Sequence, residues 1–597
     1  MSGHRREGER RILADLCSFP LPAALPARAC VTQARNGEKS LTLGNKFVHS
    51  AFDPSREAEK IVSAYAGAEA GVLIGYGLGY LPAAWMRARP RPLLVIELIP
   101  ELLAEPTRNE EALTLAPFRC ISAAGGMADV NRQEAEAVNF FRGLSAAQLK
   151  NLAWMTTPGI AAQEPALTEA ARLFLKKTLE NFLSNMYTEL EFERLWFRNI
   201  LHNAFLVPRA GRFAALCGVL KESSVVLIGA GPSLDSEIGA LRLLRPHAVL
   251  MACDTALASL LEAGIVPHIV VSLDGQIHNF HDFCGFDTSE IVLLSDIAVY
   301  PAIPRLRFAG VYFFETAEIT EVNGRAAVIS HPLTLRVKQL CGELGVARSG
   351  GNVGTTALEL ARVMGAKVII LSGMDYAYPG RMTHARLAPA MLRCSLRETR
   401  TYSAPAAMRR ILAKRALITT HNYKNQEVQS DIILRKYADW TAAAYAEAKE
   451  QAGDAPAWHT LSWRGMEIPG VRPIDAAAAQ GLSRGHRPPA ELPFLRRGGA
   501  LETAAEPRAE DAHTAAETAL TESMRELALE VTRVLESAPL PDLDKTLALF
   551  ARYPYLRRGY GAQVLHAEKT GEYTYLLGEV RFQLQRILRI LKRHGVS

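Results

Sequence analysis

The sequence predicts an α/β protein with a central parallel-sheet domain, an α/β N-terminal domain and an α-helical C-terminal region. Between about residues 205 and 475, apolar runs such as VVLIGA, AVLMACD, HIVVSLD and KVIILSG alternate with helical segments. Continuous β-branched runs of this kind are typical of parallel strands that helices cover on both faces. A shorter α/β alternation precedes residue 200, and helical segments follow residue 515. The central domain, over 201–475, is therefore expected to be Rossmann-like.

Composition excludes several classes of protein. The 68 basic and 62 acidic residues leave a formal charge of +6, too small an excess to indicate a nucleic-acid partner. The eight cysteines are scattered without a CxxC pair, which favours reduced thiols over a disulfide framework or a zinc site. Prolines interrupt the apolar part of the N-terminus, and no apolar run reaches the ~20 residues that span a bilayer. We expect a cytoplasmic protein with no transmembrane segment.

The C-terminal region begins with a change of composition. Residues 476–515 are rich in Ala, Pro, Gly and Arg, which is typical of a mobile linker, and a helical domain is expected over 516–597. The last helix carries an apolar stripe, with arginines largely off it. The stripe consists of Leu584, Ile587, Leu588 and Leu591, and the arginines are Arg586, Arg589 and Arg593. We favour a packed terminal helix over one that contacts a membrane or a partner.

The N-terminal domain (1–200) contains a glycine-rich turn in GVLIGYGLGY, residues 71–80. The turn follows a predicted strand, and the next strand ends in an acidic residue, Glu97. Dinucleotide-binding proteins and methyltransferases use this layout to hold a ribose. Alternatively, Gly75, Gly77 and Gly79 only permit a tight turn without a ligand. We favour the second interpretation because a lone glycine motif is weak evidence.

Two further glycine-rich bends lie in the central domain. In VVLIGAGPSLDSEIG (225–239) a strand turns into a helix that Ser233 can cap, and free N–H groups at a helix start attract anions such as phosphate. The second bend, SGGNVGTT, opens another helix, whose following strand ends at Asp375, Tyr376 and Tyr378. The candidate binding residues of the two bends are Gly229, Gly231, Pro232, Ser233, Gly350, Gly351, Asn352, Gly354 and Thr355.

Charged side chains are expected at the same edge of the sheet. Asp254, next to Thr255, and Asp274 close two other strands, and ligands of open parallel sheets lie outside the carboxyl ends of strands. Together with the two bends, these aspartates favour a nucleotide as the ligand. Aspartates can also bind Mg²⁺ beside phosphates, but we assign no metal. The segment from Arg381 to Arg415 holds nine basic residues and one acidic residue, which suits either a lid over an anion or a solvated helix face.

The motifs GAGPSL (229–234), DTALASLLEAGIVPHIVVSLD (254–274), SGGNVGTTALELARVMGAKVIILSGMDYAY (349–378) and THA (383–385) resemble the motility accessory factor family. These bacterial proteins glycosylate flagellin with nonulosonic (sialic-like) acids. The central domain also resembles archaeal pterin pyrophosphokinases and a bacterial sialyltransferase family with a single Rossmann-like sheet. The resemblance covers most of 45–475, and the helical C-terminal region matches only in general character.

The resemblance implies transfer of a nonulosonic acid from a CMP-sugar donor to serine or threonine of flagellin. Gly229–Ser233 and Gly350–Thr355 would hold the nucleotide, with Asp254, Thr255, Asp274 and Arg381 nearby. Tyr376 and Tyr378 would assist the leaving phosphate, beside Asp375. The general base would be either His421, which precedes Asp431 with a longer gap than in the sialyltransferases, or His384. Ala230, Asp254 and Asp274 replace asparagines of the sialyltransferases, which weakens the transfer of base and ribose contacts.

Three other functions remain open. An ATP-dependent 6-hydroxymethylpterin pyrophosphokinase would use the same bends, although the large flanking regions argue against a kinase of a small substrate. A flagellin-binding chaperone with a vestigial nucleotide site is the non-catalytic alternative. A methyltransferase would depend on the N-terminal glycine turn.

Overall fold

The computed structural model describes residues 24–104, 118–122, 127–322, 325–451, 457–495, 509–536, 540–558 and 573–596. The chain divides into two compact units: Met1–Glu189 with Thr320–Ala326, and Leu190–Ile319 with Ala327–Ser597. Both units are built on parallel sheets and helices, and the last described elements are helical, so the fold class predicted from the sequence is confirmed. Within the described residues, no helix is both long and apolar enough to cross a membrane.

The first unit contains two sheets. Its antiparallel sheet consists of β1 (Ala29–Gln33), β2 (Lys39–Leu43) and β3 (Lys46–Phe47). Its parallel sheet consists of β4 (Ala70–Ile74), β5 (Leu93–Glu97), β6 (Phe118–Ser122) and β7 (Leu152–Thr156), in the order β6–β5–β4–β7. The helices are α1 (Pro54–Ser63), α2 (Tyr80–Ala88), α3 (Met127–Arg142), α4 (Ala146–Lys150) and α5 (Pro158–Gln163). A long helix, α6 (Pro165–Ala204), begins in this unit and ends in the second.

The second unit contains a ten-stranded parallel sheet. Its strands are β8 (Gly211–Arg212), β9 (Ser224–Ile228), β10 (Val249–Cys253), β11 (Ile269–Ser272), β12 (Val292–Asp296), β13 (Gly310–Thr316), β16 (Val346–Ala347), β17 (Val368–Ser372), β20 (Ala457–Thr460) and β21 (Arg472–Pro473). The second unit also contains the hairpin of β18 (Leu417–His421) and β19 (Glu427–Asp431). A further hairpin, β14 (Glu318–Val322) with β15 (Arg325–Ile329), has its residues 320–326 in the first unit and its ends in the second. The order across the large sheet is β16–β13–β12–β11–β10–β9–β17–β20–β21, with β8 beside β13.

Helices cover this sheet and extend beyond it. They are α7 (Leu234–Leu244), α8 (Leu257–Glu262), α9 (Pro332–Cys341), α10 (Val353–Val363), α11 (Pro389–Ser395), α12 (Ala404–Leu412), α13 (Ile432–Gln451), α14 (Ala476–Arg484), α15 (Ala509–Leu535), α16 (Leu543–Arg552), α17 (Pro554–Arg558) and α18 (Thr574–Arg593).

The apolar runs of the sequence form the centre of the sheet, as their composition predicts. All five residues of β9 are buried. Val225 and Leu227 belong to the hydrophobic cluster on one face, and Val226 and Ile228 to the cluster on the other. Successive side chains of a strand point to opposite faces of the sheet. A strand that is covered on both faces therefore has apolar side chains on both.

The linker predicted over 476–515 is wrong at both of its described ends, because residues 476–484 form α14 and α15 begins at Ala509. Asp475 accepts a hydrogen bond from Ala478 N and so caps α14, whose residues Ala479 and Ser483 are buried. Residues 496–508 of the predicted linker lie outside the described residues. The helices that follow share one hydrophobic cluster with the end of α6 and with α9, so they form part of the second unit. The apolar stripe of α18 is packed there, with Leu584 and Leu591 fully buried.

Candidate functional site

The carboxyl ends of β9 and β17 form the point at which the strand order of the large sheet reverses. From β9 the chain proceeds through β10, β11, β12 and β13 in one direction, and then returns to place β17 on the other side of β9. At such a reversal the loops that follow the two neighbouring strands diverge, and a crevice forms between them. Ligands of open α/β sheets bind in this crevice. From the sequence we singled out the segment 229–233 after β9 and, in the segment after β17, Asp375 and Tyr376.

The first bend follows β9 and is held tightly against the segment after β17. Gly229 N donates to Ser372 O (2.8 Å), and Gly231 N donates to Gly373 O (2.7 Å). A Cβ on Gly231 would lie 2.6 Å from Gly373 O and would overlap the Asp375 carboxylate. A Cβ on Gly229 would lie 2.7 Å from the same carbonyl oxygen. These glycines are therefore required by the close approach of two backbone segments.

The start of α7 is occupied by a carboxylate of this chain. Ser233 N donates to Asp375 Oδ2 (2.9 Å). Ser233 was predicted to cap α7 with its side chain, and this is wrong: its backbone is itself helical (φ −64°, ψ −24°) and its side chain makes no capping bond. Burial raises the pKa of Asp375 to about 7. The anion position predicted at this helix start is thus partly filled by a carboxyl group that exists in both protonation states near neutral pH.

The second bend leads into α10 and is shaped by bonds within the chain. Asn352 Oδ1 accepts from Thr355 N (2.7 Å), which caps the helix, and Thr355 Oγ1 accepts from Gly350 N (3.1 Å). A Cβ on Gly350 would lie 2.7 Å from the Trp440 ring, and Gly351 has a φ of +99° that favours glycine.

Met374 connects the two bends. A Cβ on Gly229 would lie 3.0 Å from Met374 Cγ, and a Cβ on Gly354 would lie 2.9 Å from Met374 Cε. The two bends are therefore separated by the length of one methionine side chain, at the same edge of the sheet. The sequence reasoning missed Met374, although it stands between the predicted strand end and Asp375.

A second residue that the sequence reasoning missed is Glu237 in α7. Its Oε2 accepts from Ser372 Oγ (2.6 Å), Gly373 N (2.9 Å) and Ser462 Oγ (3.3 Å). Burial raises the pKa of this carboxyl group. Glu237 thus fixes the backbone just before Met374. The sequence signal for Glu237 is an acidic residue on the sheet-facing side of an otherwise apolar helix face.

The two other strand-end aspartates accept hydrogen bonds from this chain. Asp254 is buried and accepts from Ser272 Oγ (2.8 Å) and Thr255 N (2.9 Å), whereas Asp274 Oδ1 accepts from Gln276 N (3.0 Å). Burial raises the pKa of Asp254. Of the side chains that the structure describes, no group of three or more His, Cys, Asp or Glu is arranged to hold a metal ion. Asp254 and Thr255 thus stabilise the turn after β10.

Tyr378 lies in a charged triad with two residues that are distant in sequence. Its hydroxyl group donates to Asp431 Oδ2 (2.5 Å), and Arg415 donates both to the Tyr378 hydroxyl oxygen and to Asp431 Oδ2 (2.8 Å each). Burial and the bond to Asp431 raise the pKa of Tyr378. Its hydroxyl group is therefore a neutral hydrogen-bond donor at neutral pH.

Tyr376 differs from Tyr378 in its surroundings. It has a positive φ of 47°, unusual for a bulky residue, and its hydroxyl group is 3.0 Å from Thr441 Oγ1. Burial raises its pKa. A positive φ in a bulky residue is a strained backbone conformation, which the surrounding structure must stabilise.

The two candidate bases lie in different places. The backbone beside His384 joins the first bend, because Ala385 N donates to Ala230 O (2.8 Å), and His384 Nδ1 is 3.2 Å from Thr383 Oγ1. Burial, helped by Arg415 and Arg393, lowers the pKa of His384. His421 is exposed at the turn end of the β18–β19 hairpin, where it pairs with Glu427.

The hairpin register separates His421 from Asp431, its expected partner. Asp431 pairs with Leu417, four residues from His421 along β18, which is about 13 Å of strand. The structure therefore does not bring together the His421 and Asp431 pair that the sequence layout suggested. His384 is the histidine that lies near the bends.

The basic segment from Arg381 to Arg415 forms α11 and α12 with their connections. Its arginines are exposed, but only Arg393, Arg409 and Arg410 lie on these short helices. Arg381 precedes both helices and has a φ of +59°. Arg415 is engaged by Asp431, as described above. Arg393 lowers the pKa of both Asp282 and His384 through its charge, although burial raises the Asp282 pKa to about 7 overall. The segment thus places positive charge beside the carboxyl edge of the sheet.

The glycine turn of the first unit is filled by its own chain. Glu97 Oε2 accepts from Tyr76 N (2.5 Å) and Gly77 N (3.3 Å), and burial raises the pKa of Glu97 to about 7. A Cβ on Gly77 would lie 2.5 Å from His49 Nε2, and one on Gly75 would lie 2.7 Å from Ile160 Cδ1. The acidic residue that would hold a ribose binds the turn instead, which favours the structural interpretation of this motif.

Comparisons with known sequences match parts of the chain. A family model described as 6-hydroxymethylpterin diphosphokinase MptE-like matches residues 198–381. An uncharacterised protein of Treponema pallidum (strain Nichols) is 28% identical over 234 residues, which are 36% of this chain and 57% of that protein. A second protein of that organism is 24% identical over 249 residues, 41% of each chain. The chain thus spans about half the length of these relatives.

A solved structure extends the likeness to the whole chain. The MAf glycosyltransferase from Magnetospirillum magneticum AMB-1 superimposes with a TM-score of 0.53 and 15% identity, covering 99% of this chain and 95% of that one. At this identity the likeness concerns the fold. The chain therefore has the fold of a Maf glycosyltransferase, and the range that matches the MptE-like family model, 198–381, contains both bends of the candidate site.

Proposed function

We propose that this protein is a cytoplasmic glycosyltransferase that moves a nonulosonic acid from a CMP-sugar to serine or threonine of flagellin, as flagellum assembly requires. The observation that carries the proposal is the pair of bends on either side of Met374 at the reversal of strand order. The fold of the Magnetospirillum protein supports it. The bends would bind the nucleoside monophosphate part of the donor.

The transfer needs a group that assists the leaving phosphate and a group that accepts a proton. The acceptor hydroxyl oxygen forms a bond to the anomeric carbon, the bond from that carbon to the phosphate oxygen breaks, and CMP leaves. Tyr378 would turn its one hydroxyl hydrogen from Asp431 Oδ2 to the leaving phosphate, while Asp431 keeps its bond from Arg415. His384, kept neutral by its lowered pKa, would take the proton of the hydroxyl group.

Mass spectrometry of flagellin tests this function. Purified protein, a CMP-nonulosonate and unmodified flagellin are expected to give flagellin heavier by one or more nonulosonate residues, with release of an equal amount of CMP. The same mixture without the protein is the control. If flagellin binds the protein but keeps its mass with each CMP-nonulosonate that is supplied, the protein would instead be a chaperone.

The MptE-like match favours one second candidate, an ATP-dependent 6-hydroxymethylpterin pyrophosphokinase. This enzyme would transfer the pyrophosphoryl group of ATP to the pterin hydroxymethyl oxygen and release AMP. AMP formation that depends on the pterin would support this function, and AMP formation that never exceeds the no-pterin control would exclude it.

Binding of CMP is expected to depend on the protonation of Asp375. Its carboxyl group lies at the start of α7 and has a pKa of about 7, so it becomes negatively charged as the pH rises through that value. The charge repels a phosphate held by the same bend, and the affinity of the wild type for CMP should fall about tenfold between pH 6 and pH 8 relative to Asp375→Asn. Calorimetry of both proteins at each pH cancels the titration of CMP itself. Equal pH profiles of the two proteins would contradict the placement of phosphate beside Asp375.

A further inference from the structure

A basic cavity lies in the second unit, away from the two bends. Its volume is about 350 Å³, and it is open to solvent and lined by the last turns of α6, the segment after β12 and helix α18. Four arginines line it, together with His202 and Tyr300. They are Arg198, Arg586, Arg589 and Arg593. No acidic side chain is among the described residues of the lining.

The walls of the cavity are fixed by buried bonds. Asn199 Nδ2 donates to Gly275 O and Ala298 O (2.9 Å each), which ties α6 to the segments after β11 and β12. Tyr300 N donates to Asp274 O (3.1 Å). On the opposite side, the buried leucines of α18 set the direction in which its arginines project. The cavity is therefore a formed feature of the fold.

The positive charges of the cavity lack counter-charges. In the part of the chain that the structure describes, no carboxylate forms an ion pair with Arg198, Arg586, Arg589 or Arg593. Arg198 donates only to the neutral Asn199 Oδ1. Burial and the charge of Arg586 lower the pKa of Arg198, and burial, His594 and nearby arginines lower that of His202 to about 4. Like charges held together without an anion destabilise the fold, and a bound anion would remove that cost.

We propose that this cavity is a second ligand site, for a small polyanion that carries phosphate or carboxylate groups. Guanidinium groups bind both oxyanions bidentately, and the volume is near the lower end of the ~300–1,000 Å³ typical of small-molecule sites. An apolar slot lined by Phe197, Tyr555 and Ile587 adjoins it through Arg198 and Arg586. The site lies beside β12, three strand spacings or about 14 Å from β9, so its ligand is additional to the nucleotide at the bends.

Calorimetry with inorganic pyrophosphate and with citrate tests the proposal on the full chain. The wild type is expected to bind at least one of them, and the double variant Arg589→Gln/Arg593→Gln to bind it at least about tenfold more weakly. Both arginines are exposed, so the variant is expected to fold, which its circular dichroism melting curve checks. The matched control, Lys592→Gln/Arg525→Gln, removes two exposed positive charges that do not line the cavity and should bind as the wild type does.

The two probes distinguish the sources of the anion. Stronger binding of pyrophosphate indicates a phosphorylated ligand, and stronger binding of citrate indicates a polycarboxylate. The proposal is overturned if neither probe binds the wild type at millimolar concentration, or if the control loses as much affinity as the double variant. It is also overturned if CMP displaces the probe, which would mean one site, or if only an oligoglutamate peptide binds, which would mean an acidic protein segment.

Discussion

Replacing His384 by glutamine is expected to lower kcat for nonulosonate transfer by about 10² to 10⁴-fold, the usual contribution of a general base. The expectation rests on the backbone bond from Ala385 N to Ala230 O, which holds this histidine beside the first bend. It rests also on the lowered pKa of His384, which keeps the imidazole neutral and able to accept a proton at pH 7. Initial rates of CMP release with saturating donor and flagellin measure the effect.

The pH profile and a matched variant complete this test. Because the base acts in its neutral form, kcat should rise with pH through a pKa below the ordinary histidine value of 6.5 and should be constant at neutral pH. His421→Gln is the control, since His421 is exposed at a hairpin turn, and its kcat should stay within about twofold of the wild type. The affinity for CMP should be unchanged in both. If His421→Gln loses the activity and His384→Gln keeps it, the assignment of the base is wrong.

The sequence was sufficient where the signal is local. The apolar runs that became β9, β10, β12 and β17 are buried on both faces, and such strands have a composition that is readable without knowledge of their neighbours. The glycine bends were recognisable for the same reason. Their partners were not: nothing near Gly231 in sequence indicates that Asp375 reaches its helix start, so the cap was assigned to Ser233.

The errors arose where the pairing or packing of one segment against another decides the outcome. The spacing of His421 and Asp431 was compatible with one site, but the antiparallel register of β18 and β19 places them at different ends of the hairpin. The Ala-rich composition after residue 475 is compatible with a linker and with a helix, and only the burial of Ala479 distinguishes them. The composition of a segment indicates which secondary structures it can adopt. Packing against other segments determines which of these structures it does adopt.

Gly231→Ala is expected to disrupt the first bend and with it the binding of CMP. The added Cβ would lie 2.6 Å from Gly373 O and would overlap the Asp375 carboxylate, and the bond from Gly231 N to Gly373 O prevents the two segments from moving apart without cost. Overpacking of this kind typically lowers the free energy of unfolding by about 1–3 kcal/mol. The affinity for CMP should fall at least about tenfold, because the displaced segment carries Met374 and Asp375 at the crevice.

Gly239→Ala is a control within the same helix. Gly239 lies inside α7 and a Cβ there meets nothing within 4 Å, so alanine should raise the free energy of unfolding by up to about 1 kcal/mol and leave CMP binding unchanged. Urea unfolding and calorimetry of the two variants separate a general effect of glycine replacement from an effect of the bend. If Gly231→Ala binds CMP as the wild type does while its stability falls, the bend is a packing feature only, and the nucleotide must bind elsewhere. If Gly231→Ala loses CMP binding at a temperature where it remains folded, the close contact between the segments after β9 and β17 is what forms the nucleotide site.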